Sequence, residues 1–222
     1  MSQESIANIL EKYIPGAAVD ICSNWIVNYN VHVRITRSRA TKFGDYRRLK
    51  ESGAHQITIN HDLNQYSFLI TFVHEIAHLH AEEKYNKRIA PHGTEWKNEF
   101  SKLLDYFIQL GVFPPDLVGA LTSYVKNPAA SSCSDHDLLR ALRKYDKKES
   151  LHVQHLEDLP KQTLFRLHSS RSGLIFRKGE QIRTRFHCVE LTTKREYYVN
   201  PLTEVVVHEI PVDGLQLKVS GM

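Results

Sequence analysis

Cysteine, methionine and long apolar runs are scarce in this chain. Its 222 residues hold three cysteines, Cys22, Cys133 and Cys188, with no CxxC pair among them. So odd and sparse a set excludes a disulfide framework and reads as free thiols in a reducing compartment. No apolar stretch approaches the roughly 20 residues needed to cross a bilayer. The opening residues, MSQESIANILEKY, show no basic run followed by an apolar core, so a secretory signal is not expected. The expectation is a cytoplasmic protein with no membrane partner. A strong charge of one sign is missing too: 29 Lys and Arg against 25 Asp and Glu leave a net charge of +4. Such a balance permits an acidic partner such as nucleic acid and demands none. With 41% hydrophobic and 24% charged residues, the chain reads as globular, one domain or one domain with an appendage.

What is present is histidine, thirteen in all, the commonest metal-ligating side chain. Their placement follows from the periodicities. Ile6, Ile9, Leu10 and Tyr13 predict a helix over 3–14, ended by Pro15-Gly16. The alternation WIVNYNVHVRIT predicts a half-buried strand over 25–36, then a basic irregular stretch to Lys50 and a short strand HQITIN at 55–60. From Gln65 to about Lys87 the pattern is helical and apolar nearly all round, so that helix is expected to be buried on most sides. Thr94 is placed to cap a helix over about 95–110, and 115–125 reads as a further helical turn. Residues 126–136 look like a linker, 137–145 like a short helix, and from Leu164 onward short alternating strands dominate.

The chemistry-bearing segment lies in the buried helix. His74-Glu75-Ile76-Ala77-His78 is an HExxH motif. Residues i and i+4 share a helix face, so two imidazoles reach one metal ion at about 2.0–2.1 Å. Glu75, turned about 100° around the helix, reaches water beside the metal rather than the metal. Burying two imidazoles and a carboxylate without compensation is unfavourable, and a metal ion supplies that compensation. A catalytic zinc takes three protein ligands and keeps one position open. An extended HExxHxxGxxH pattern would need Gly at 81 and His at 84, where Ala81 and Lys84 stand. The only methionines are Met1 and Met222, so a Met-turn is excluded as well. For the third ligand Glu95 and Glu99 of the next helix are candidates, and His92, in the loop Pro91-His92-Gly93 just before it, is the better one.

The run HEIAH, followed by PHGTEW and preceded by ITINHDL, resembles the SprT-like zinc metalloproteases, including the Spartan-type enzymes, over roughly residues 5–110. The resemblance implies a zincin-like core with His74, His78 and His92 as ligands of one Zn2+ and Glu75 as the catalytic base of peptide hydrolysis. It also implies substrates that include DNA-associated proteins. Many relatives carry a cysteine-rich zinc ribbon after the core. Cys133 and Cys188 alone cannot build one, so the tail looks similar to the C-terminal region of bacterial SprT-like proteins that have lost the ribbon cysteines.

Two segments are locally basic. Arg34 to Lys50 has seven Lys or Arg and one acid, Asp45; Gln162 to Glu196 has eight Lys or Arg and three Glu. Arg37, Arg39, Arg47 and Arg48 in the first, and Arg183 and Arg185 in the second, are the candidate nucleic-acid contacts. Arg183, Arg185 and His187 are expected on one strand face, with aromatic residues interleaved. The expected architecture is α+β: a metalloprotease core over 1–125, a linker with a short helix over 126–150, and a small β-rich unit over 151–222 without metal. Two other functions stay open at this level. One is a nucleic-acid-binding or regulatory protein with a structural or weakly active zinc site, which has no need of Glu75. The other is a metal hydrolase acting on a small amide.

Overall fold

The computed structural model describes residues 2–39, 42–85, 89–129, 135–146, 153–168, 170 and 172–208. It is a mixed α+β protein that divides into two compact units, residues 1–147 and 148–222. In the first unit, helices α1 (Gln3–Leu10) and α2 (Gly16–Asn28) lead into β1 (Val31–Thr36), β2 (Gly44–Arg48) and β3 (His55–Asn60). Four helices follow: α3 (Gln65–Tyr85), α4 (Thr94–Gln109), α5 (Pro115–Lys126) and α6 (His136–Leu142). The three strands form one sheet in the order β1-β3-β2. β1 runs parallel to β3, and β2 runs antiparallel to it at the edge.

α3 is the central element. Thirteen of its 21 residues are buried, because β2, β3 and α4 all pack on it; a helix apolar all round requires that enclosure. Asn64 fixes where α3 begins. Its side-chain oxygen accepts from the amides of Tyr66 and Ser67 at 3.1 and 2.9 Å, a helix cap worth about 1 kcal/mol. Its amide nitrogen donates to the Leu142 carbonyl at 3.1 Å and to Asp146 at 2.6 Å. The segment after α5 is therefore bound to the start of α3, and Leu138 and Leu142 of α6 join the same core. The short helix expected within a linker is part of the packed first unit; residues 130–134 lie outside the described residues.

The expected strand over 25–36 is only half a strand. Trp25–Asn28 complete α2, whose Ala18, Val19, Cys22 and Ile26 recur at helical spacing and are buried. Asn30, at φ 49°, turns the chain into β1. The alternation that suggested a longer strand assigned Val27 and Tyr29 to the core, yet they are 47% and 37% exposed. The basic stretch after β1 is not irregular throughout, since it contains β2. α4 begins at Thr94 with Gly93 as its cap residue and no side-chain cap, so Thr94 does not serve that role.

The second unit is a six-stranded antiparallel sheet in the order β4-β9-β5-β6-β7-β8. Its strands are β4 (Val153–His155), β5 (Leu164–Leu167), β6 (Phe176–Ile182), β7 (Arg185–Glu190), β8 (Glu196–Val199) and β9 (Glu204–Val207). Leu156, Leu159, Phe165, Phe176, Cys188 and Val205 make its core. Lys178 is buried there, donating to the carbonyls of Glu157 and Leu159 at 3.2 and 2.5 Å and lying 4.0 Å from the Phe186 ring centre. No helix among the described residues is long and apolar enough to cross a membrane.

Candidate metal centre

His74 and His78 project from one face of α3, their ring centres 5.1 Å apart. His92 arrives from the loop before α4. There the Gly93 amide donates to the Ala90 carbonyl at 2.9 Å, closing a turn with Pro91 second and His92 third. Such a turn uses proline's fixed φ at its second position and a positive φ at its third. His92 has φ 59°, a conformation non-glycine residues rarely adopt and one that concentrates at functional sites. The turn sets His92 Nε2 3.1 Å from His74 Nε2 and 3.0 Å from His78 Nε2.

The arrangement passes a chemical test for a cation. One ring N–H on His92 can satisfy one neighbouring nitrogen, not two, so hydrogen bonding alone leaves this triangle of nitrogens short. A tetrahedral ion with nitrogen ligands at 2.0–2.1 Å places those nitrogens about 3.3–3.4 Å apart, within a few tenths of the observed spacing. The three histidines can hold a metal ion. Burial pushes His74 down to about 2 and His78 down to about 4, with neighbouring imidazoles adding to both, and burial also lowers His92. All three are neutral at pH 7, the form that ligates.

The rings are oriented chiefly by packing. Trp96 lies 4.6, 5.3 and 4.7 Å from the rings of His74, His78 and His92, and its indole N–H points at the His74 carbonyl from 3.4 Å. His74 Nδ1 is buried with no hydrogen-bond partner among the described residues. A ligating imidazole usually donates through its second nitrogen; here the aromatic wall of Trp96 and Phe100 holds the ring instead.

Glu75 lies under the edge strand β2 and is 5% exposed. The Tyr46 amide donates to its carboxylate. Burial pushes the Glu75 carboxyl up to about 8; Asp45 adds to the rise, while Lys42, Arg39 and that amide oppose it. Gly44 is required by the close approach, because a Cβ there would stand 2.5 Å from Glu75 Oε1 and 2.7 Å from Thr71 Cγ2. Tyr46 also reaches the histidine cluster. Its ring is nearly parallel to that of His78, at 6.2 Å and 6°, and its hydroxyl sits between Glu82 Oε2 at 2.8 Å and His55 Nδ1 at 2.9 Å. Gly44 and Tyr46 escaped the sequence reading, since GDYRR offers one apolar side chain and no alternation.

Of the residues singled out from sequence, the structure brings together His74, His78 and His92, with Glu75 next in the chain to the first. Glu99 is elsewhere, bound to Lys84 at 2.7 Å and Tyr85 at 3.3 Å, and Glu95 is outside the cluster. The candidate nucleic-acid arginines are scattered. Arg39 is consumed by Asn60, Thr58 and Phe43, and Arg48 pairs with Glu82 and Glu83. Arg47 contacts Gln56 on the outer sheet face, and Arg37 is exposed. Arg183, at φ 55°, occupies the turn between β6 and β7. It does not share the strand face of Arg185 and His187, because a two-residue hairpin loop takes it out of the ladder. No family model matches the chain, and neither a curated protein nor a solved structure matches it.

Proposed function

We propose that the protein is a zinc-dependent peptide hydrolase of the SprT-like kind, with a zincin-like core. The observation that carries this is the convergence of three neutral imidazole nitrogens beside a buried glutamate on the same helix. His74, His78 and His92 would hold one Zn2+, which when bound polarises a carbonyl and acidifies water. Glu75 takes the proton from the attacking water and delivers it to the leaving amine. Gly44 and Tyr46 keep its carboxylate in place, and Trp96 keeps the ligand rings in register. Elemental analysis tests the centre: about one zinc per wild-type chain, lost in His92→Ala, is expected. Retention of zinc in His92→Ala, with loss in Glu95→Ala, would replace the third ligand.

We further propose that the substrates include DNA-associated proteins. The exposed side chains of Arg34 and Arg37, with Arg47 on the same outer sheet face as Arg34, support contact with phosphates. Binding to duplex DNA should weaken with salt, and Arg34→Ala/Arg47→Ala should reduce the slope of that dependence by up to about 2. Salt-independent binding would remove this part of the reading.

A further inference from the structure

A cavity of about 270 Å³ opens beside His78. Its walls are His78 itself, Tyr46, Trp96, Ile89 and Pro91, with Glu82 as the one charged member. We propose that this cavity receives one large apolar or aromatic side chain of the peptide substrate, next to the bond that is cut. This inference rests on the reading of the centre as a zinc peptide hydrolase and names the residue class it selects.

Size, lining and charge agree on that occupant. An engineered cavity of about 150 Å³ takes benzene, so the volume here suffices for a phenyl or isobutyl group. Two aromatic rings and an imidazole offer faces for offset or edge contacts. Glu82 is already engaged, accepting from Tyr46 at 2.8 Å and standing 3.5 Å from Arg48. It offers little to a hydrogen-bonding guest and repels an acidic one. Glycine leaves the cavity unfilled. Because His78 forms part of the wall, a side chain seated there brings its own backbone against the centre.

Amino-acid hydroxamates test this without turnover, since the hydroxamate group binds zinc whatever side chain it carries. Calorimetric titration of the zinc-loaded protein should show leucine and phenylalanine hydroxamates binding about tenfold tighter than glycine hydroxamate, and aspartate hydroxamate binding more weakly. Ala90 lines the cavity too, and Ala90→Phe, which places a ring there, should erase the preference at unchanged zinc content. Ile89→Ala should reduce it. Equal affinities in zinc-loaded wild type, or a preference untouched by both variants, would overturn this inference alone. Absence of zinc, or of any hydroxamate binding, would overturn the reading of the centre and this inference with it.

Discussion

Glu75 of the first unit and Glu190 of the second are both buried, 5% and 1% exposed, and their surroundings shift their acidity in opposite directions. Glu190 closes the turn from β7 to β8. It accepts from the amides of Thr192 and Thr193 at 2.7 and 2.6 Å and from the Thr193 hydroxyl, which pull it down to about 2. Glu75 receives one amide, and burial pushes it up to about 8. The same contrast separates the cationic and neutral groups. Lys178 finds two carbonyls in the second unit, whereas His74 Nδ1 in the first finds no partner among the described residues. Buried polar groups are ordinarily satisfied. Among the described residues of the second unit Glu190 and Lys178 are, and they brace turns. In the first unit His74 Nδ1 and His80 Nε2 are not.

That comparison can be broken in three places. The largest effect is expected at Glu75: Glu75→Gln should lower hydrolysis of a labelled peptide by about 10²–10⁴-fold, the range of a general base, with zinc content unchanged. Loss of zinc instead would make Glu75 a structural group like Glu190. Next, Gly44→Ala forces a methyl group against the Glu75 carboxylate and should lower stability by about 1–3 kcal/mol together with activity. Its counterpart in the second unit is Gly179, where a Cβ would meet the His187 carbonyl at 2.7 Å. Gly179→Ala should destabilise as well while sparing hydrolysis per folded molecule, and thermal melts run beside peptide assays would separate the two. The smallest effect concerns Glu190. Its pKa is depressed on folding, so its contribution is present above the ordinary carboxylate range and fades as pH falls towards about 2. Glu190→Gln should therefore lower the melting temperature at pH 7 and lower it less at pH 3. An equal loss at both would mean that the turn does not depend on the charge.

The site was legible from sequence to the extent that it lies on one regular element. HExxH spacing on an apolar helix places His74, His78 and Glu75 beside one another, because helical geometry is local. His92 was reachable through Pro91 and Gly93, which mark a turn, but the positive φ that aims its imidazole is a tertiary outcome. β2 was not legible. Its value to the site lies in the amide of Tyr46 and the missing Cβ of Gly44, neither of which carries a hydropathy signal. The error over 25–36 has a different cause. Val27 and Tyr29 extend the alternation of β1 backwards, and the helical register of Ala18, Val19, Cys22 and Ile26 overrides them. In the second unit the β6–β7 hairpin consumed Arg183, which alternation alone had placed in a strand.

The Asn64 side chain also sets a limit on how this chain can be dissected. Its amide nitrogen is held by Leu142 and Asp146 while its oxygen caps α3, so the entry to the helix that bears His74 depends on residues some eighty positions further on. A fragment ending after α5 would keep His74, Glu75, His78 and His92 yet release that clasp. The Tyr66 and Ser67 amides would then exchange with solvent sooner, and α3 would fray from its first turn towards His74 and His78.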